Sequence, residues 1–124
     1  ALARWPNQIR PGTVNGEAFW SPDLLVTCAE LAGATLPKVV LDGKNVLPLL
    51  TEGAPSPHRS FYFAFRKHAA MRWGDWKIVR ERPDAPWQLF NLTADLSETT
   101  DRADEQPQRR DELVAEFRRW ESGF

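Results

Sequence analysis

The spacing of apolar residues near the start of the chain is that of a helix. Residues 22–32 carry apolar side chains three and four positions apart, which makes one apolar face. Ser21 and Pro22 are typical of a helix start, and Gly33 is typical of a helix end. The pattern predicts a helix over residues 22–32 with its apolar face formed by Leu24, Leu25, Cys28, Leu31 and Ala32.

The pattern changes to short strands after residue 59. Four runs of aromatic and aliphatic residues are separated by brief connections, one of which is Gly74-Asp75. Short strands joined in this way predict an antiparallel meander. The predicted strands are residues 60–65, 69–73, 76–82 and 87–92.

A second helix is predicted over residues 107–123, after a polar and acidic loop at residues 93–106. Leu113, Val114, Phe117 and Trp120 form a stripe suited to packing on one sheet face. The predicted fold class is α+β, with a small four-stranded antiparallel sheet packed by a C-terminal helix. A helix-containing segment precedes this unit.

The stretch Met71–Val79, MRWGDWKIV, predicts a tight hairpin. Glycine at the first central position suits a type II′ turn at Gly74-Asp75. Such a turn places Trp73 opposite Trp76 on one face and Arg72 opposite Lys77 on the other. Opposed like charges are unfavourable unless an anion or a carboxylate lies between them. Two interpretations follow: the pair faces a bound anion, or an Asp or Glu of the chain or water satisfies it.

Composition narrows the classes of function. The 124 residues carry 16 Lys and Arg and 17 Asp and Glu, giving a net charge of −1, so bulk charge does not favour nucleic acid or anionic lipid. No apolar run approaches the length of a membrane span. Cys28 is the single cysteine, which rules out an intramolecular disulfide and leaves the compartment open.

Few residues are available for catalysis or metal binding. We expect Cys28 to be a buried small hydrophobe and His58, in a loop, to be solvated. His68 stands beside Arg66 at a strand connection, where it suits a general base or an anion donor, although a solvated role is the simpler interpretation. P-loop, dinucleotide-binding, zincin and nucleophile-elbow motifs do not occur.

Five segments, in order, resemble motifs of the type I sulfatases. Residues 4–13 follow W-P-G-x-I-x-P-G with Asn7 in place of glycine, and residues 23–33 follow D-L-x-P-T-L-x-x-L-A-G with Val26 in place of proline. Residues 42–50 are similar to D-G-x-S-L-x-P-L-L, and residues 72–77 match R-x-G-D-W-K. Residues 89–101 resemble L-Y-D-L-x-x-D-P-x-E-x-x-N, with Leu96 and Asp101 departing from it.

This resemblance implies the C-terminal part of an arylsulfatase-like enzyme of the alkaline-phosphatase superfamily. It assigns residues 1–53 to the end of the large α/β domain and residues 58–124 to the sheet-and-helix subdomain. Such enzymes use a formylglycine, made from the Cys or Ser of C/S-x-P-x-R, and a divalent metal, calcium or magnesium. Cys28 and Ser56 do not stand in that motif, so we assign no catalytic residue, metal ligand or cofactor to this chain.

We therefore expect part of a sulfuric ester hydrolase that is inactive alone and acts structurally or lines the substrate cleft. Its partners would be the upstream large domain and the sulfate ester that the complete enzyme, the parent of this chain, hydrolyses. We expect no nucleic-acid partner and no membrane span. Apolar surface left uncovered would lead to self-association. The candidate substrate-binding residues are Arg66, His68, Arg72 and Lys77.

Two alternatives stay open. The chain is a stand-alone module whose aromatic sheet and cations bind an anionic sugar, or it is part of a related phosphodiesterase or phosphonate hydrolase. The substrate, the oligomeric state, and whether the chain is a fragment or a natural truncated product are not decided by the sequence.

Overall fold

The predicted α+β class is confirmed by a computed structural model that describes residues 1–123. The chain divides after His58 into two compact units. Helices among the described residues are all too short or too polar to span a membrane. The elements are α1 Pro22–Leu31, α2 Leu47–Glu52, β1 Ser60–Phe65, β2 His68–Trp73, β3 Trp76–Arg80, β4 Gln88–Asn91 and α3 Pro107–Glu121.

In the first unit, the segment before α2 runs against the start of α1. Gly43 permits this approach, because a Cβ atom at this position would lie 2.2 Å from the carbonyl oxygen of Pro22. The backbone N–H of Lys44 then donates to Asp23, and that of Val46 donates to the hydroxyl of Thr27, at 2.8 and 3.0 Å. Polar side chains of α1 therefore form its contact with the following segment.

The predicted apolar face of α1 is exposed in this chain, and the expected burial of Cys28 is wrong. Leu24, Leu25 and Leu31 are 50%, 59% and 48% exposed, and Cys28 is also exposed rather than buried. The buried residues of α1 are Asp23, Val26 and Thr27. The physical reason is that the neighbouring segment presents backbone N–H groups, which need acceptors, so the polar side of the helix turns inward.

The second unit is the predicted meander, with strand order β1-β2-β3-β4 and every neighbouring pair antiparallel. Met71 pairs with Ile78, which pairs with Leu89, and all three side chains are fully buried. Phe117 of α3 is also fully buried in the same apolar cluster. The core of this unit thus lies between one sheet face and α3, as the stripe on α3 predicts.

Both tight hairpins contain a residue with positive φ. Gly74, between β2 and β3, has a φ of +57°, and Asp75 is not among the residues with positive φ, as a type II′ turn requires. Arg66 occupies the same position between β1 and β2, with a φ of +56°. An arginine in this region is strained, because its Cβ crowds the backbone.

This strain predicts opposite effects of glycine at two neighbouring positions. We expect Arg66→Gly to stabilise the second unit by about 0.5–1 kcal/mol, since glycine adopts positive φ without a steric penalty. Lys67→Gly is the matched control and should destabilise it, because Lys67 has no positive φ and glycine only adds freedom to the unfolded chain. Urea unfolding measures both, and equal destabilisation by the two variants would contradict the strain.

Candidate functional site

A row of cationic side chains crosses the sheet face opposite α3. Alternation along β2 places His68 and Arg72 on this face, since Ala69 and Met71 point to the core. Lys77 of β3 is the register partner of Arg72, as the hairpin predicted. The three residues therefore share one face, with Arg72 and Lys77 directly opposed.

Lys77 is neutralised by the acidic loop that follows β4. Its Nζ lies 2.6 and 2.8 Å from the two carboxylate oxygens of Glu98, and both side chains are about 30% exposed. Glu98 has a φ of +56°, so the backbone adopts an unfavourable conformation where this carboxylate is presented. A carboxylate of its own chain thus satisfies Lys77, which is the simpler of the two interpretations.

Arg72 has a different environment. Its Nε donates to the carbonyl oxygen of Gly74 at 2.9 Å, which directs the side chain toward the β2–β3 turn. Its terminal guanidinium nitrogens have no hydrogen-bond acceptor among residues 1–123. The register neighbours in this row are Phe61 on one side and, beyond Lys77, Phe90, which are 6% and 5% exposed. The side chain of Arg72 is thus held in position by Gly74, and its terminal N–H groups remain available to an acceptor.

The other two candidates lie at the far end of the strand. Arg66 is in the β1–β2 turn and packs its guanidinium 5.2 Å from the ring centroid of Phe65, which is 67% exposed. His68 is exposed beside it. His68 and Arg72 are four positions apart on β2, a distance of about 13 Å along the strand. The four predicted residues therefore form two clusters at opposite ends of β2 and not one compact site.

The sequence interpretation missed a buried pair in the first unit. His58, which we expected to be solvated, has a side chain only 4% exposed, and its Nε2 lies 2.7 Å from Oδ1 of the fully buried Asp23. The same carboxylate accepts the backbone N–H groups of Lys44 and Trp20, at 2.8 and 3.0 Å. The expected solvation of His58 was wrong because its partner is 35 residues away in the sequence.

The acidic loop is organised by its own carboxylates. Asp95 accepts the backbone N–H groups of Thr99 and Thr100 at 2.7 and 2.8 Å, and Asp101 accepts those of Leu89 and Ala103 at 3.0 and 2.9 Å. The hydrogen bond from Thr100 is the largest factor that lowers the pKa of the exposed Asp95. These acids hold the loop instead of simply facing water.

The residues present do not fit a formylglycine or a metal. Cys28 is exposed on α1, within the sequence Cys-Ala-Glu-Leu-Ala. Across residues 1–123, His, Cys, Asp and Glu do not come together in a group of three that could hold a metal ion. No chemical step through either group is assigned to this chain.

No family model matches the chain, but the relatives that it resembles in sequence are sulfatases. Human arylsulfatase A is 52% identical over 63 residues, which are 51% of this chain and 12% of that protein. Mouse steryl-sulfatase is 33% identical over 99 residues, which are 77% of this chain and 15% of that protein. The chain therefore spans only a small part of the relatives it matches.

A solved structure shows that the fold of this chain also occurs as part of a larger protein. Ps i-CgsB in complex with k-i-k-neocarrahexaose superposes with a TM-score of 0.79 at 31% identity. The match covers 94% of this chain and 27% of that one, so both units of the present chain have counterparts within a larger protein.

The role of Asp23 predicts a local loss of structure when the carboxylate is removed. Asp23→Ala takes away the acceptor for two backbone N–H groups and for His58, and should cost about 3 kcal/mol in the first unit. Hydrogen exchange should then show lost protection at α1 and residues 44–49, while the sheet stays protected. Asp42→Ala, at an exposed aspartate nearby, is the control and should change neither region.

The lowered pKa of Asp95 predicts a pH dependence of the acidic loop. A carboxyl group whose pKa is lower in the folded state stabilises it above the ordinary value of 3.8, and this contribution is lost as the pH falls through the lowered pKa. Amide exchange at Thr99 and Thr100 should therefore accelerate below about pH 4. Asp95→Asn should remove the pH dependence, whereas an unchanged profile in this variant would refute the assignment; Asp104→Asn is the control.

Proposed function

The chain is the C-terminal part of a sulfatase, and we propose that the whole protein hydrolyses sulfate esters while this part lines the substrate cleft. The partial coverage of the relatives is the reason for assigning the chemistry to residues outside this chain. On this proposal the isolated chain is inactive, and its role in the parent is structural and in substrate contact.

The division of the chain supports a placement for each part. We assign residues 1–53 to the end of the large catalytic domain and residues 58–124 to the C-terminal subdomain. The exposed leucines of α1 support the first assignment, because apolar side chains on one helix face are normally covered in a complete domain. With the upstream domain missing, the same face would favour self-association of the isolated chain.

The proposal that this chain contacts the substrate rests on Arg72. A bound sulfate ester needs N–H donors, and a planar guanidinium presents several in a fixed geometry. The bond from its Nε to Gly74 limits the conformations that the side chain must give up on binding, while its terminal nitrogens remain available. Lys77 contributes indirectly, since Glu98 compensates its charge and so reduces repulsion on Arg72.

Arg66 and His68 have a secondary role in this proposal. They lie together at the exposed tip of the β1–β2 hairpin, about 13 Å along the strand from Arg72. At that distance they would contact a different part of the substrate from the sulfate held by Arg72. The strained backbone at Arg66 supports a functional reason for keeping a side chain at this position.

A stand-alone module for anionic sugars is the second candidate. The observation that favours it is the aromatic and cationic character of the same hairpin, where Phe63 is 48% exposed and Phe65 67% exposed. A related phosphodiesterase or phosphonate hydrolase keeps the same fold and differs in the nucleophile motif, which this chain does not contain.

The proposal predicts a difference between the isolated chain and a longer protein that includes the upstream domain. With an aryl sulfate and calcium or magnesium, only the longer protein should show turnover. In that protein, Arg72→Gln should reduce kcat/KM by about tenfold or more, because a charge-assisted hydrogen bond to the substrate is lost. Turnover by the isolated chain would refute the assignment of the chemistry to the upstream domain.

The control for Arg72 is Arg119→Gln, an equal charge change at an exposed position on α3. It should leave kcat/KM unchanged. An equal loss in both variants would indicate a general effect of charge and would remove the specific role of Arg72.

A further inference from the structure

The second unit has a groove on the side of α3, with a volume of about 340 Å³. This volume lies in the range of small-ligand sites, which combine an apolar lining with a few polar groups. Its lining combines an apolar strip with charged groups: Pro86, Trp87, Val114, Arg110, Asp111 and Arg118.

The charges differ between the two ends of the groove. Arg110 and Arg118 are eight residues apart on α3, which separates them by about 12 Å along the helix axis. Nε of Arg110 lies 2.8 Å from Oδ1 of Asp111. That hydrogen bond raises the pKa of Arg110, with further contributions from the charges of Asp111, Asp104 and Asp101. Positive charge at this end is therefore compensated.

Arg118 marks the other end. It is exposed, and its guanidinium makes neither an ion pair nor a side-chain hydrogen bond to any of residues 1–123. Its neighbour Arg119, in contrast, is paired with Glu116. An anion entering the groove would thus meet an uncompensated cation at Arg118.

A third arginine, Arg80, contacts Trp87, one of the residues that line the groove. The guanidinium of Arg80 packs 4.8 Å from the ring centroid of Trp87, and its buried Nε lacks an acceptor within residues 1–123. Phe117 contacts the same ring at 5.2 Å. Trp87 is thereby fixed in orientation, and Arg80 adds positive charge close to the groove.

We propose that this groove binds one residue of an acidic oligosaccharide. The sugar ring lies on the apolar strip of Pro86 and Val114, its hydroxyls bond to the Arg110–Asp111 pair, and its sulfate or carboxylate pairs with Arg118. Asp111 supplies the acceptor and Arg110 the donor that neighbouring sugar hydroxyls require. Arg118 supplies donors suited to a planar or tetrahedral oxyanion.

This binding site goes beyond the proposed hydrolysis, since it uses different residues from the cationic row and requires no turnover. The two proposals fail separately. Loss of binding here leaves the sulfatase activity of the longer protein to be measured, and absence of that activity leaves the binding measurement valid.

The test is a titration of the 124-residue chain with oligosaccharide probes. Binding is measured by calorimetry and by the NMR chemical shifts of the Trp87 indole and the Val114 methyl groups. Three probes separate the possible anions: a sulfated oligosaccharide, the same oligosaccharide without sulfate, and one that carries uronic acids. We expect one or both acidic probes to bind and to shift Trp87 and Val114, and the neutral probe to bind at least about tenfold more weakly.

Two matched variants decide the role of Arg118. Arg118→Gln should raise the Kd of the acidic probe by about tenfold, and Arg119→Gln, with the same charge change one residue later, should leave it within about twofold. Asp111→Asn should weaken acidic and neutral probes alike. Thermal unfolding of each variant checks that the fold is retained.

Three results would overturn the proposal. They are an equal effect of Arg118→Gln and Arg119→Gln, binding of the neutral probe as tight as that of the acidic ones, and the absence of shifts at Trp87 and Val114 with every probe. The first result would reduce the interaction to the overall charge of α3.

Discussion

The register between β2 and β3 is the constraint on which the second unit depends. Gly74 allows a two-residue turn, so Trp73 meets Trp76, Met71 meets Ile78 and all later pairs follow. Because side chains alternate between faces, a slip of one residue would move Met71 away from α3 and place Arg72 in the core. The apolar cluster and the cationic row are therefore two results of one turn, and neither can change its position independently of the other.

The first unit depends on polar contacts to a greater extent. Asp23, at the start of α1, accepts from three parts of the chain: Trp20, Lys44 and His58. Thr27, one turn later, accepts from Val46. These bonds are directional, so they define which segments meet and at what angle, but they bury little apolar area. The helix is left with Leu24, Leu25 and Leu31 exposed.

Local patterns were sufficient to predict the sheet, the hairpin and both long helices. The Gly74 turn and the alternation around it involve residues a few positions apart, which a sequence displays directly. Asn7 is another feature that depends only on local sequence, since it replaces a glycine of the sulfatase pattern. With a φ of +68°, it keeps a conformation that both glycine and asparagine tolerate. The burial of His58, the inward side of α1 and the choice of Glu98 as the partner of Lys77 were not predictable in this way. Their partners lie 19 to 35 residues away, and only the folded chain brings them together.

Gly43 has a consequence for how substitutions in this protein are interpreted. The carbonyl oxygen of Pro22 occupies the space that any side chain would need, so even alanine would force the two backbone segments apart. In a saturation scan, position 43 would show the intolerance usually associated with catalytic residues, while the adjacent exposed Asp42 would accept many replacements. Intolerance at this position would reflect the contact between two backbone segments, and only a measurement that separates abundance of the folded protein from its activity would reveal the difference.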